Sequence, residues 1–140
     1  MRPEAFQQLF CEQIPLLARM QIYPESVSDD QVVVRIPLEG NSNDKGTLFA
    51  GAAYSALVIA GWMLVMNCAE QSGFRRPWAA IVDAHCHYAK AIREEVCATA
   101  VFVETPILIP GEKNWPKVIV SIGDCVVFEG TYAVGERHSA

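Results

Sequence analysis

Two of the three histidines fall in one short row, in which Asp83, His85 and His87 alternate with Ala84 and Cys86. Residues two apart on a strand share a face. Such a row could bind a metal through imidazole and carboxylate, or serve as a general base with its orienting acid. It could equally be a solvated or subunit-facing polar face. No third and fourth ligand accompanies it in sequence, so metal binding is weaker than the solvated reading and no metal is assigned. A second place of chemical interest is the turn-like run Gly40-Asn41-Ser42-Asn43-Asp44-Lys45-Gly46, which leads straight into an uncharged stretch. If that stretch is a helix, its first N–H groups have no internal partners, and its dipole favours negative charge there.

The elements that must position these residues follow from apolar spacing. Pro3 suits the first turn of a helix, and Phe6, Leu9, Phe10 and Ile14 follow at helical intervals until Pro15 ends the run. Leu16 to Val27 reads as a first strand, interrupted near Pro24. Gln31 to Leu38 is a clearer one, with Val32, Val34, Ile36 and Leu38 on one face. No charged residue occurs between Lys45 and Glu70, where large apolar residues are interleaved with Gly and Ala. The length would span a bilayer of about 20 apolar residues. The short polar flanks and the strands elsewhere favour instead a central helix covered by a sheet and by another subunit. Beyond Gly73 the period becomes two: Ala80, Val82, Ala84, Cys86 and Tyr88 alternate with Ala79, Ile81, Asp83, His85 and His87. Glu95 to Glu104, Val118 to Ile122 and Cys125 to Val134 are further strands, the last two joined at Gly123-Asp124. Gly135 to Ala140 reads as a frayed tail. The order is an α+β pattern of one long helix enclosed by antiparallel strands.

A chain of 140 residues fits one domain, here 1–140, and 51% hydrophobic with 19% charged residues excludes disorder. A net charge of -5 with no Lys/Arg run argues against nucleic-acid binding. Five scattered cysteines, without a C-x-x-C pair, suit free thiols in a reducing cytoplasm. The polar N-terminus lacks the apolar core of a signal peptide.

The segment Asn43-Asp44-Lys45-Gly46-Thr47-Leu48-Phe49-Ala50-Gly51 resembles the N-x-x-G-T-L-H-G-G signature of hotdog-fold acyl-CoA thioesterases. Val82-Asp83-Ala84-His85-Cys86-His87-Tyr88 resembles the V-D-x-x-x-x-Y strand that follows the central helix in that superfamily, and the spacing between the two segments fits. The likeness runs from about Leu16 to Val134. It is nearest to thioesterase domains found alone or fused behind an acetyltransferase domain, in which Phe often replaces the signature His, as at Phe49. The resemblance implies a hotdog fold and a homodimer, with pairing into tetramers left open. It implies two composite sites at the subunit seam, with strand Ala79 to Tyr88 at that seam, and no cofactor.

By that resemblance the thioester carbonyl lies at the N-terminus of the central helix. Ala50 and Gly51 would then offer N–H donors to the oxyanion formed when water attacks. Gly51 lets the substrate approach. Asn43 would orient water or carbonyl, or merely cap the turn. The sequence departs from the pattern where it matters: Val58 stands where related enzymes carry an acid, and Ile81 where they carry a Ser. Asp44, Asp83, His85 and His87 are the remaining candidates to activate water. Phe49, Tyr54 and Ser55 are candidate substrate contacts. Three functions follow: hydrolysis of acyl-CoA or acyl carrier protein thioesters, non-catalytic binding of such thioesters, and metal-dependent catalysis through the His85/His87 row.

Overall fold

The computed structural model describes residues 1–137. Two short helices, α1 (Pro3–Gln13) and α2 (Pro15–Arg19), precede strands β1 (Tyr23–Val27) and β2 (Gln31–Ile36). The long helix α3 (Ala50–Gln71) follows, then β3 (Pro77–Tyr88), β4 (Val96–Phe102), β5 (Lys117–Ile122) and β6 (Val126–Glu136). The strands form one antiparallel sheet in the order β1-β2-β4-β5-β6-β3. Its concave face holds α3. This is the α+β hotdog architecture that the sequence resemblance implies.

Helix α3 meets the bilayer test by length and composition, yet 13 of its 22 residues are buried within this chain. It is the core of the fold. Val32, Val34 and Ile36 of β2, Ala98 and Ala100 of β4, Val118 and Val120 of β5, and Phe128 and Tyr132 of β6 are all fully buried beneath it. Small residues on both sides set the distance. A Cβ added at Gly61 would lie 2.6 Å from the Tyr132 hydroxyl and 3.0 Å from Val118. The missing side chain lets the buried Tyr132 hydroxyl reach the helix and donate to the Val58 carbonyl at 2.6 Å. On another side, α1 lays Phe6 against Trp62 edge-on, with ring centroids 6.1 Å apart.

Three expectations are corrected. Leu16 to Val27 is not one interrupted strand. Pro15 ends α1 but begins α2, because its fixed φ and missing N–H are tolerated at a first helical position. The chain turns at Gln21, in left-handed backbone with φ 57°, and only Tyr23–Val27 is strand. The tail begins later than expected: Gly135 and Glu136 still belong to β6, while 138–140 lie outside the described residues. The strict alternation of β3 also fails. A bulge lies between Ile81 and Asp83, since Ile81 faces Tyr132 and Asp83 faces Thr131. The extra residue, Val82, shifts the phase. Ala79 and Ile81, opposite Val134 and Tyr132, therefore share the helix-facing side with Cys86 and Tyr88, opposite Phe128 and Val126. Asp83, His85 and His87 lie on the outer side.

The Gly61–Tyr132 contact generates a stability prediction. Alanine in place of a helical glycine ordinarily gains about 1 kcal/mol. Here the added methyl meets two immobile core groups, so overpacking of about 1–3 kcal/mol should outweigh it. Gly61→Ala should lower the urea midpoint, and Tyr132→Phe, which removes the nearest atom, should recover part of the loss. Additive effects in that double-mutant cycle would contradict the close approach.

Candidate active site

Helix α3 begins abruptly. Its N-cap position is Phe49, in extended backbone (φ -61°, ψ 133°), with no side-chain cap. Ser, Thr, Asp or Asn at this position would accept from an early N–H and add about 1 kcal/mol; the chain forgoes this at its longest helix. The Phe49 carbonyl accepts from Ala52 and Ala53 at 2.9 and 3.0 Å. Among the described residues no acceptor reaches the N–H groups of Ala50 and Gly51. No acidic side chain occupies the first turn, so the positive end of the helix dipole is uncompensated by the chain itself.

The approach to this helix start is held firmly. Leu48 N–H donates to the Ile92 carbonyl and Phe49 N–H to the Asn41 carbonyl, both at 2.8 Å. Asn41 is buried, and its amide donates to the carbonyls of Met20 (2.8 Å) and Pro37 (3.0 Å). On the far side the Tyr88 hydroxyl donates to the Ala50 carbonyl at 2.9 Å, tying the end of β3 to the first turn of α3. Partial desolvation raises the Tyr88 pKa to about 12, with its contact to Cys86 adding to the shift, although the side chain keeps an exposed face. The phenol is therefore neutral, and a donor, throughout the physiological range.

Asn43, Ala50, Tyr88 and Lys90 wall a small cavity of about 290 Å³ at this point. Asn43 is largely committed to its own turn. Its carbonyl oxygen accepts from the N–H groups of Lys45 (2.9 Å) and Thr47 (3.1 Å), and its amide donates to the Thr47 hydroxyl at 2.8 Å. One amide hydrogen makes no bond to the described residues. Gly51 does not line the cavity; a Cβ there would lie 2.6 Å from the ring of its neighbour Phe49, which is 57% exposed.

A second, apolar groove of about 400 Å³ runs along α3 between that helix and β3. Tyr54, Ser55, Val58 and Trp62 form its helix wall, and Ile81 and Tyr132 face them from the sheet. Tyr54 packs edge-on against Phe128 with centroids 5.7 Å apart. The Ser55 hydroxyl donates back to the Gly51 carbonyl at 2.9 Å, as a packed helical serine does. Trp62 donates its indole N–H to the Ala79 carbonyl at 3.2 Å and fastens β3 to the helix.

The sequence candidates thus divide. Asn43 and Ala50 meet in the cavity, and Tyr54 and Ser55 in the groove. Asp44 is 82% exposed and paired with Lys45 at 3.2 Å, outside the cavity wall. Asp83, His85 and His87 lie exposed on the outer side of the sheet, opposite Thr131, Glu129 and Val127. Among the described residues no three His, Cys, Asp or Glu side chains converge to hold a metal. Asn41 was not singled out from sequence, and Tyr88 and Lys90 entered only through the strand motif, with no site role. Asn41 is hidden in a polar turn where any Asn suggests local bonding, and Tyr88 belongs to the site only because β3 returns to the start of α3.

Residues 3–114 match the sequence profile of the family described as "Putative thioesterase (yiiD_Cterm)". The chain belongs to that family. Solved structures agree. The "putative thioesterase" of Shewanella oneidensis shares 26% identity over 94% of this chain and 95% of its own, with a TM-score of 0.83. The thioesterase HI1161 of Haemophilus influenzae has the same fold at 15% identity (96% and 90% covered, TM-score 0.75). So does a protein of unknown function from Chlorobaculum tepidum, at 20% identity (97% and 98% covered, TM-score 0.77).

The tie between Tyr88 and Ala50 can be checked by titration. A tyrosine whose folded pKa is raised contributes stability that is complete below the ordinary value of 10 and is lost as pH rises through the folded value. Spectrophotometric titration should show a tyrosinate step near pH 12 that is absent from Tyr88→Phe. A variant curve superimposable on wild type would contradict the assignment.

Proposed function

We propose that the protein hydrolyses acyl thioesters, with the carbonyl oxygen at the start of α3 and the acyl chain along the groove lined by Tyr54, Val58 and Trp62. The observation that carries this reading is the uncapped pair of N–H groups at Ala50 and Gly51, of which Ala50 lines the cavity, on the same helix that walls an apolar trough. Donors fixed before the reaction stabilise the developing oxyanion without having to reorganise. Family membership supports thioester chemistry. The cavity and groove add a polar end for the carbonyl and an apolar run for a hydrocarbon chain. Asn43, with its remaining amide hydrogen, and the neutral Tyr88 complete the polar end.

The working unit is a homodimer in this proposal. β3 is a twelve-residue edge strand hydrogen-bonded on one side only, to β6. Long unpaired edges are rarely left open, and Val82 and Tyr88 expose apolar surface along it. Antiparallel pairing of β3 with its copy would close both edges by twofold symmetry. The five free thiols suit a reducing compartment such as the cytoplasm.

A second reading, non-catalytic binding of acyl thioesters, is favoured by one specific observation. Neither a carboxylate nor an imidazole of the described residues lines the cavity at the helix start. Thiol release from a panel of acyl-CoA and acyl carrier protein thioesters separates the two. Hydrolysis is the expected outcome, and tight binding without release would establish the binder instead.

Three further outcomes are expected. Gly51→Val should displace the Phe49 ring over the helix start and reduce turnover by about 10² to 10³, the typical loss of one oxyanion donor; unchanged turnover would place the carbonyl elsewhere. Val58→Asp puts an unpaired carboxylate into the apolar trough. It should raise KM for long acyl chains more than for short ones, and an equal effect on both would remove the acyl chain from this groove. Sedimentation at micromolar concentration should show a dimer, and monomer alone would contradict the β3 seam.

A further inference from the structure

The segment between β4 and β5 exposes apolar side chains that nothing else in the chain covers. Ile107 is 86% exposed, and Val103, Ile109 and Trp115 are roughly half exposed. Singly such residues are ordinary on a surface, but four on one connection are not. The segment is also braced, so it cannot simply collapse to hide them. Leu108, between the two isoleucines, is buried. The Asn114 side chain accepts from the Ile109 N–H at 3.0 Å and donates to the carbonyls of Ile109 (3.2 Å) and Glu112 (3.1 Å). Trp115 stands between Asn114, which bridges to Val134, and Pro116, whose carbonyl accepts from the Tyr132 N–H. It is therefore opposite Ala133, on the outer side of the sheet, because the buried Tyr132 and Val134 point to the helix. Val103, Ile107, Trp115 and Lys117 surround one recess of about 570 Å³.

The same segment continues into a basic depression, which Lys113 lines together with Arg75, Arg76 and Arg137. Trp78 lies in it, paired with Gly135 and so on the same outer side as Trp115. Glu104, Glu112 and Glu136 also line the recess or the depression, but the four cations and Lys117 outnumber them. The face is thus locally positive on a chain of net charge -5. Among the described residues none of these five cations makes a salt bridge. Glu136 is engaged by the backbone instead, accepting from the Arg75 N–H at 2.6 Å.

Projecting isoleucines, an exposed tryptophan and a rim of unpaired cations match the chemistry of an anionic lipid surface. Two other occupants fit less well. A second copy seated here about a twofold axis would bring two positive rims together. A nucleic acid would use the cations but leave Ile107 and Ile109 in water. We propose that this outer face docks on an anionic phospholipid bilayer. Ile107, Ile109 and Trp115 enter the headgroup boundary, and Arg75, Arg76, Lys113 and Lys117 meet the lipid phosphates. The proposal stands apart from the thioester reading and from the β3 dimer, and its test needs neither.

Vesicle flotation tests it, with phosphatidylcholine alone and with phosphatidylcholine mixed with phosphatidylglycerol. The protein should float with the mixed vesicles only, and less as salt rises. Arg75→Gln/Lys113→Gln should weaken that binding by roughly tenfold or more, the scale of two basic residues lost from an anionic surface. Ile107→Glu changes a side chain too exposed to matter for folding, and should weaken binding by roughly tenfold as well. Two controls, Arg2→Gln/Arg19→Gln and Leu16→Glu, make the same kinds of change at exposed positions elsewhere and should bind like wild type. Tryptophan emission should shift to shorter wavelength on the mixed vesicles, and Trp115→Phe should lose most of the shift. Wild type that ignores the mixed vesicles, or floats equally with neutral ones, overturns the proposal. Undiminished binding by Ile107→Glu also overturns it, since cations alone would then account for adsorption. Sedimentation without lipid gives the second copy its own outcome. If wild type ignores vesicles and assembles beyond a dimer while Ile107→Glu does not, another copy of the chain covers this face and the proposal fails.

Discussion

A helix that is apolar on every side is stable in water only if every side is covered. In α3 that constraint organises the molecule. The sheet covers the broadest face, α1 adds Phe6 against Trp62, and the absent side chain at Gly61 lets Tyr132 close the gap with a hydroxyl to the Val58 carbonyl. What remains uncovered is the trough beside β3 and the first turn at Ala50 and Gly51, where the proposed site lies. Apart from Glu70 in its last turn the helix carries no charge, so the exposed N-terminal donors are the strong polar feature of its first turns.

Because the donors are backbone groups, their placement depends on the fold rather than on a catalytic side chain. The turn built around Asn43 and Thr47, the Asn41 clamp and the Tyr88 bond to Ala50 all serve to fix one peptide orientation. This accounts for a site with few titratable residues. It also accounts for Asn43: its largely filled hydrogen-bond capacity makes it first a turn former.

Much of this was legible in the sequence. The uncharged run from Lys45 to Glu70 announced the central helix, and Val32, Val34 and Ile36 announced their strand face. The turn before Phe49 located the helix start. Three features escaped for physical reasons. Pro15 can both end a helix and begin one, so α2 was hidden within an expected strand. A bulge costs one residue and carries no composition signal, so the phase of β3 was misread beyond Val82. The basic depression gathers Arg75, Arg76, Lys113 and Arg137 from distant segments, and no local run reveals it. The Asp83, His85 and His87 row was the most conspicuous pattern in the sequence, and the fold turns it away from the helix.

The central claim is that the acyl carbonyl is held by the start of α3. A crystal structure with a non-hydrolysable acyl-CoA analogue tests it directly. The carbonyl oxygen should lie about 3 Å from the Ala50 or Gly51 nitrogen, with the acyl chain between Val58 and Ile81. A carbonyl bound instead on the outer face of the sheet, beside His85 and His87, would contradict the account.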